Sequence, residues 1–260
     1  MKSKNIQQHN TAATIETNLP KEIFARIWAL WGALLFFSTM LIADLFYLTC
    51  FLLKQPTKAT WHRHISRAWM GFYLPLIGSP LKVVGAAHFQ KDKNYVVVCN
   101  HRSFMDIPVT TPFMPRPNKT IGKTTFAYIP LVNIFYIIGS ILVDRNSTKS
   151  RLDSYKKMKQ VLLFGFDMVI YPEGTRNRSA DPLKPFYDGA FKLALDCGKD
   201  VIPTLLFNTD KVLPVHKTFY LYPHKLEMHF LPPVERGNLN AKELKEKVFK
   251  QMWDYYEAHK

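Results

Sequence analysis

A histidine and an aspartate five residues apart, His101 and Asp106, are the first residues whose types and spacing could do chemistry. They lie in the run NHRSFMD, directly after the apolar run YVVVC. A strand that ends there and a helix that begins near residues 106–108, as Pro108 favours, would let the turn fold Asp106 back onto the imidazole. The carboxylate would fix the tautomer of His101, and the free ring nitrogen could accept a proton from an alcohol. The alternative is a loop histidine with Asp106 as a helix N-cap.

A second polar turn follows a second apolar run, MVIY, and has the sequence YPEGTRNRS at residues 171–179. Gly174 permits a positive φ or a close approach of backbone to a ligand. Arg176 and Arg178 carry planar guanidinium groups that suit phosphate. Glu173 could accept a hydrogen bond from a substrate hydroxyl or hold Arg176 in place. Alone, the run could equally be a surface turn with exposed charges.

Two cations and one proline are further candidates. Lys123 and Arg145 flank an apolar stretch at residues 126–143, and they could add positive charge for a phosphate or be plain surface cations. The stretch itself is interrupted by proline, asparagine and glycine, so we expect a buried or lipid-grazing helix followed by a strand, not a membrane span. Pro203 within VIPTLLFN predicts an edge strand or a bulge, because proline cannot donate to a ladder.

The composition limits the classes of protein and partner. The 260 residues are 47% hydrophobic and 14% aromatic, which excludes global disorder. A net charge of +15 favours anionic partners such as lipid head groups, coenzyme A phosphates or an acidic carrier protein. The basic residues are scattered without a recognisable reading module, so nucleic acid is not an expected partner. The three cysteines show no metal-ligand spacing, and we expect no metal site.

Strand and helix patterns alternate from about residue 82 onward. Such alternation predicts an α/β fold with a mostly parallel sheet flanked by helices. The predicted strands are Tyr95–Cys99, Ile141–Val143, Met168–Tyr171, Val201–Phe207 and Leu226–Leu231. The predicted helices lie near residues 150–164, 186–197 and 241–258. Both polar turns would then follow the carboxyl ends of strands, where open α/β sheets build their sites.

The N-terminal part of the chain predicts a membrane-binding helical segment. We expect a flexible tail at residues 1–20, a membrane-associated helical segment at 21–78 and an α/β catalytic domain at 79–260. Residues 27–53 are apolar and long enough to cross a bilayer, but Asp44 interrupts them. Two interpretations stay open: the part before Asp44 spans the membrane, or the stretch bends into a hairpin within one leaflet.

The next segment, residues 57–77, has the spacing of an amphipathic helix that Pro75 would end. Lysine and arginine are denser directly after the apolar stretch than before it. If the stretch spans, this bias places the C-terminal domain in the cytoplasm. The expected localisation is therefore the membrane, with the catalytic domain on the cytoplasmic side.

Four runs in this order, NHRSFMD, ILVDRN, YPEGTRNRS and VIPTLLF, resemble the four motifs of the glycerolipid acyltransferase family. The resemblance is greatest to the bacterial 1-acylglycerol-3-phosphate acyltransferases, and it covers roughly residues 80–215 together with a membrane-binding N-terminal segment. The His-x4-Asp spacing is common by itself. It becomes specific when it is joined to Pro-Glu-Gly-Thr-Arg some 70 residues later.

The resemblance implies a role for each matching residue. His101 would be the general base and Asp106 its orienting partner. The glycerol phosphate of the acceptor would be bound by four residues of the second and third motifs, Arg145, Glu173, Gly174 and Arg176. Lys123, which lies outside the four motifs, stays a candidate for the same phosphate because of its charge. Pro203 would shape the acyl site. One departure concerns Tyr187 and Asp188, which stand where many relatives carry basic residues before the glycine, and Asp188 adds negative charge near the expected phosphate site.

The implied reaction transfers a fatty acyl group from acyl carrier protein or coenzyme A to the free hydroxyl of 1-acylglycerol-3-phosphate, which gives phosphatidic acid in phospholipid synthesis. No cofactor or metal is implied beyond this acyl thioester. The implied partners are membrane lipids, the lysophospholipid acceptor and an acyl carrier protein as one candidate donor. The alternatives are the same chemistry on glycerol-3-phosphate or a lyso-aminolipid, and a non-catalytic protein that binds anionic membranes.

Overall fold

The computed structural model describes residues 18–144 and 146–260. Most of the expected flexible tail, residues 1–17, and the candidate phosphate ligand Arg145 lie outside the described residues. The first helix begins at Leu19, so the last two residues of the expected tail are helical.

Seven strands form one sheet, as the alternating pattern predicts. They are β1 (Leu81–Val84), β2 (Val96–Cys99), β3 (Asn118–Lys123), β4 (Ser140–Val143), β5 (Asp167–Ile170), β6 (Val201–Phe207) and β7 (Leu226–Phe230). Their spatial order is β1-β7-β6-β2-β5-β3-β4, and every neighbouring pair is parallel except β6 and β7. The prediction of an α/β fold with a mostly parallel sheet is confirmed.

Eight helices accompany the sheet over the described ranges. They are α1 (Leu19–Thr49), α2 (Thr57–Leu76), α3 (Asp106–Phe113), α4 (Val132–Gly139), α5 (Thr148–Leu163), α6 (Gly189–Asp196), α7 (Thr209–Val212) and α8 (Ala241–His259). Side-chain caps begin three of them, because Asn18, Ser147 and Asn240 each accept hydrogen bonds from backbone N–H groups of the first turn. Such a cap stabilises a helix by about 1 kcal/mol.

Both faces of the sheet are buried, which explains why β2 and β5 read as continuous apolar runs. Val97 and Cys99 pack with the core that α1 to α4 cover. Val96 and Val98 face the opposite core, which α5, α6 and α8 cover. Because β2 and β5 are parallel neighbours, the polar turns after them meet at one rim of the sheet.

The N-terminal segment is a helical hairpin that packs on the α/β domain. Helix α1 is continuous through Asp44, and the chain reverses after Thr49, so α2 supplies the second arm of the hairpin. The two arms run antiparallel, since Trp69 Nε1 donates to Thr39 Oγ1 at 2.9 Å. Helix α2 ends one residue after Pro75. Asp44 is buried in the hairpin and does not face outward.

The stretch at residues 126–143 contains α4 followed by β4, as predicted for a buried helix and a strand. The helix α1 with its following turn, Leu19–Leu52, is long and apolar enough to cross a membrane. Its two sides differ. Residues that face the domain are mostly small, including Ala25, Ala29, Gly32 and Ala43. Large apolar side chains occupy the outer side, so α1 approaches the domain closely while it exposes an apolar surface.

Candidate active site

The expected contact between His101 and Asp106 is present. His101 Nδ1 lies 2.7 Å from Asp106 Oδ2, and the same oxygen accepts from the backbone N–H groups of Arg102 and Ser103 at 2.8 Å each. Asp106 is fully buried, while the His101 side chain is 17% exposed. With a proton on Nδ1 directed at the carboxylate, Nε2 points its lone pair away from Asp106 and is available as a base.

The alternative role for Asp106 as an N-cap is wrong. Asp106 is the first residue of α3, and the cap position belongs to Met105, whose side chain makes no capping bond. The carboxylate instead bonds back into the turn between β2 and α3. A short turn of this kind keeps the imidazole and its partner in one geometry, because both ends are held by regular structure.

Tyr171 holds the other side of the imidazole. Its ring centroid lies 4.5 Å from that of His101, at an interplanar angle of 35°. Its hydroxyl donates to Thr110 Oγ1 at 3.2 Å, and burial raises the pKa of the phenol well above its usual value. The sequence prediction did not include Tyr171 as a site residue. The signal for it was its position, immediately before the Pro-Glu-Gly-Thr-Arg run at the end of β5.

Glu173 ties the two turns together. It is 1% exposed, and its two carboxyl oxygens accept from the backbone N–H groups of His101 at 2.8 Å and Lys184 at 3.2 Å. Burial raises the pKa of Glu173 to about 7, although both backbone donors favour the ionised form. The backbone N–H of Asn177 also donates to the carbonyl of His101 at 2.6 Å. The structure thus gives Glu173 backbone partners where a contact with the acceptor was expected.

Arg176 lies beside the histidine turn. Its guanidinium carbon is 3.3 Å from the ring centroid of Phe104, and its Nη1 is buried without a hydrogen-bond partner among the described residues. Burial and the nearby charge of Arg178 lower the pKa of Arg176. A cation stacked on an aromatic ring with an unused donor is suited to bind an anion.

Gly174 requires the conformation that only glycine adopts easily. Its φ is +71°, and a Cβ at this position would lie 2.7 Å from the ring of Tyr187. Tyr187 belongs to the departure from the family pattern that includes Asp188. Asp188 itself forms an ion pair with Lys245 of α8 at 2.7 Å, which lowers the pKa of Asp188. Its negative charge is therefore compensated within the protein.

Lys123 and Pro203 lie further from the base. Lys123 is exposed at the carboxyl end of β3, on the rim of the sheet that carries His101 but two strands away. Pro203 is buried in β6 and pairs with Val98 of the neighbouring strand β2. Val98 precedes His101 by three residues.

The expectation that Pro203 marks an edge strand is wrong, because β6 lies between β2 and β7. The bulge alternative fits. Thr204 pairs with Phe230, and Val201 pairs with Val234. Between these two pairs there are three steps along β6 but four along the partner segment, so the partner segment carries one extra residue, as in a bulge. The carbonyl of Pro203 accepts from Leu231 N–H at 2.9 Å, so the missing N–H of the proline faces this irregular segment.

Two hollows meet at the site. A cavity of about 420 Å³ extends from Phe104 and Met105 to the space between α2 and α4, and its lining is almost entirely apolar. A second, polar hollow is lined by residues 175–179 and Lys184. Phe104 and Arg176, which stack on each other, lie at the boundary between the two. This arrangement suits a molecule with an anionic head and an apolar chain.

Comparison with known proteins agrees with this geometry. A family model described as Acyltransferase matches residues 80–206. The 1-acyl-sn-glycerol-3-phosphate acyltransferase of Borreliella burgdorferi is 31% identical over 183 residues, which are 67% of this chain and 73% of that protein. The enzyme of the same name from Salmonella typhimurium is 26% identical over 68% of this chain and 71% of its own length.

The fold is also shared with a solved structure. The crystal structure of the 1-acyl-sn-glycerophosphate acyltransferase PlsC from Thermotoga maritima matches with a TM-score of 0.76 at 20% identity, over 92% of this chain and 96% of that one. The family match and the identity to the Borreliella enzyme go further than fold. The chain therefore belongs to the glycerolipid acyltransferase family and is a 1-acylglycerol-3-phosphate O-acyltransferase-like enzyme.

Proposed function

We propose that the chain transfers a fatty acyl group from an acyl thioester to the free hydroxyl of 1-acylglycerol-3-phosphate and so produces phosphatidic acid for phospholipid synthesis. One observation carries the proposal: the turn that holds the His101–Asp106 pair also contributes Phe104 and Met105 to the apolar cavity, and its His101 carbonyl bonds Asn177 of the polar hollow. The names of the relatives support the choice of acceptor.

In the proposed mechanism His101 Nε2 takes the proton of the acceptor hydroxyl as its oxygen attacks the thioester carbonyl. The tetrahedral intermediate collapses by breaking the C–S bond, and the thiolate takes the proton from Nε2. Asp106 keeps the proton on Nδ1 and stabilises the imidazolium between the two transfers. No protein nucleophile is involved. We propose no cofactor beyond the acyl thioester.

The phosphate of the acceptor is proposed to bind Arg176, with Arg178 and Lys184 adding positive charge in the same hollow. Arg176 has the unused buried donor that such a ligand would satisfy. Lys123 and Arg145 remain proposed contributors to this charge. Glu173 is proposed to act as a positioning residue, because its oxygens already hold the backbone of the histidine turn.

The acyl chain of the donor is proposed to occupy the apolar cavity. Phe104 and Met105 line this cavity three and four residues after His101, in the same turn as the base. The donor is proposed to be acyl carrier protein or coenzyme A. The net charge of +15 suits the acidic surface of the first and the phosphates of the second.

The protein is proposed to bind the membrane through the outer side of α1, with the catalytic domain on the cytoplasmic side. Large apolar side chains are exposed along that side. They include Ile27, Leu30, Trp31, Leu34, Leu41 and Leu45. An apolar surface of this extent marks a membrane or protein contact. The excess of lysine and arginine after α1 supports the orientation.

The test is the release of free thiol by the purified full-length protein in detergent, with and without 1-acylglycerol-3-phosphate. Separate reactions use acyl-coenzyme A and acyl carrier protein as donors, and glycerol-3-phosphate or a lyso-aminolipid as acceptors. His101→Ala should lose activity by about 10²–10⁴-fold. The control variant His216→Ala changes an exposed histidine in a loop, and it should keep the native activity. Thiol release that ignores every acceptor, or that survives His101→Ala, contradicts the proposal.

A further inference from the structure

The lining of the apolar cavity carries two polar atoms that have no partner among residues 18–144 and 146–260. Thr120 is 2% exposed and lines the cavity, and its Oγ1 makes no hydrogen bond within the described part of the chain. His62 lines the cavity from α2, and its Nε2 is buried and equally unpaired. A buried polar atom without a partner loses its bonds to water and gains nothing in exchange, so native proteins rarely keep one.

Both atoms lie at the same end of the cavity. Thr120 of β3 pairs in register with Ser140 of β4. Gly139 precedes Ser140 in the chain and lies against His62. A Cβ added to Gly139 would be 2.5 Å from His62 Cε1 and 2.8 Å from His62 Nε2. Thr120 and Gly122 share the face of β3 that meets α4. The imidazole therefore lies over the ends of α4 and β4, next to the threonine.

The chemistry of the two groups defines what they can bind. Burial lowers the pKa of His62 to about 4, so the ring is neutral. A neutral imidazole nitrogen donates or accepts according to the tautomer, so His62 Nε2 can take either role, as the Thr120 hydroxyl can. A single hydroxyl group donates one hydrogen bond and accepts another, so it can pair with both atoms.

We propose that the cavity binds an acyl chain that carries a hydroxyl group along its length, and that Thr120 and His62 recognise this hydroxyl. The inference rests on the proposed function, because it assumes that the transferred acyl chain enters this cavity. A plain hydrocarbon would leave both polar atoms unpaired against methylene groups. A hydroxyl at the matching carbon restores their hydrogen bonds, so the enzyme should prefer the hydroxylated chain.

The register of the sheet gives the position of this hydroxyl. Thr120 and Val97 both pair with Val169, so Thr120 lies level with a residue four positions before His101. That separation is about 13 Å along the strands and about 10 Å across two strand spacings, or roughly 16 Å in total. An extended chain advances about 1.3 Å per carbon, so the hydroxyl is expected about twelve carbons from the thioester carbonyl.

The experiment compares three coenzyme A thioesters of equal chain length with 1-acylglycerol-3-phosphate as acceptor. One is unsubstituted, one carries a hydroxyl on about the twelfth carbon, and one carries it on about the third, next to the thioester. The native enzyme should show a kcat/KM for the distal hydroxyl chain that is about three- to tenfold above that for the other two, the effect of a net hydrogen bond.

Thr120→Val keeps the shape of the side chain and removes the hydroxyl. It should abolish the preference, so that the ratio of kcat/KM for the distal-hydroxyl chain to kcat/KM for the unsubstituted chain falls to about one. His62→Phe should do the same from the opposite wall, so a folding defect in one variant does not remove the test. Thr209→Val is the matched control, because Thr209 is 1% exposed with an unpaired Oγ1 but lies outside the cavity lining.

The outcomes separate the two proposals. If no thioester supports transfer, the proposed function fails and this inference fails with it. If the unsubstituted chain is transferred but the native enzyme shows no preference for the distal hydroxyl, the inference alone is overturned, and the two polar atoms hold water only. A preference that survives in both Thr120→Val and His62→Phe also overturns it.

Discussion

Replacement of Asp106 by asparagine tests the proposed catalytic pair most directly, because it removes one charge and keeps the size of the side chain. In the native protein one carboxyl oxygen accepts from His101 Nδ1 and from the backbone of Arg102 and Ser103, at 2.7–2.8 Å. An asparagine carbonyl can still accept the two backbone bonds. It cannot stabilise the imidazolium that forms when Nε2 takes the substrate proton.

Two effects follow from the geometry. The loss of the carboxylate charge should lower kcat by about 10³-fold, within the range for a lost general base, which corresponds to about 4 kcal/mol of activation free energy. Asp106 is fully buried, and its Oδ1 has no partner among the residues described. The amide N–H₂ of asparagine would take that position without an acceptor, so the free energy of unfolding should fall by about 1–3 kcal/mol.

The assay measures thiol release over a range of both substrates, together with thermal unfolding of each variant. Asp254→Asn is the control, because Asp254 forms an exposed ion pair with Lys250 within α8 and has no contact with the dyad among the hydrogen bonds and ion pairs described. It should change neither kcat nor the unfolding temperature appreciably. If Asp106→Asn keeps its fold and turns over near the native rate, Asp106 does not orient the base, and the tautomer argument is refuted.

Three further predictions concern the turn after β5. Arg176→Ala should raise KM for 1-acylglycerol-3-phosphate by about tenfold or more with a smaller change in kcat, and an unchanged KM in steady-state kinetics would remove Arg176 from the phosphate site. Gly174→Ala should lower the unfolding temperature, because a Cβ meets Tyr187 and φ is positive, and an unchanged temperature would contradict that contact. Burial raises the pKa of Glu173 from 4.5 to about 7, so the folded state holds this proton more tightly and stability should fall as pH rises through that interval. Glu173→Gln should flatten this pH dependence in thermal unfolding, and an unaltered slope would assign it to other groups.

The sequence was most informative where chemistry and secondary structure coincide. His101 and Asp106 were predictable as a pair only together with the Pro-Glu-Gly-Thr-Arg run, because the spacing by itself fits an N-cap role for Asp106 as well. The position of Arg176 on the same rim followed from the end of a second parallel strand. The role of Glu173 was not predictable, since its donors are backbone N–H groups of His101 and Lys184, which no pattern of side-chain types reveals.

The missed and misjudged strands have identifiable causes. Strand β3 has the sequence NKTIGK and lacks an apolar run, because Thr120 and Gly122 occupy the positions on its cavity side. Pro203 suggested an edge, but its missing N–H faces the irregular segment beside β6, so a central strand tolerates it. The cavity itself is built from four helices and the sheet, and no linear pattern carries its shape.

Helix α1 has two roles in the fold. Its outer side is apolar and exposed, while Ala29, Gly32 and Phe36 on its inner side form part of the cavity wall. Deletion of the N-terminal segment to obtain a water-soluble fragment would therefore open the cavity to solvent and remove part of the hydrophobic core. In this protein the helix with the exposed apolar side also encloses the apolar cavity, so crystallisation and engineering should begin from the full chain in detergent or nanodiscs.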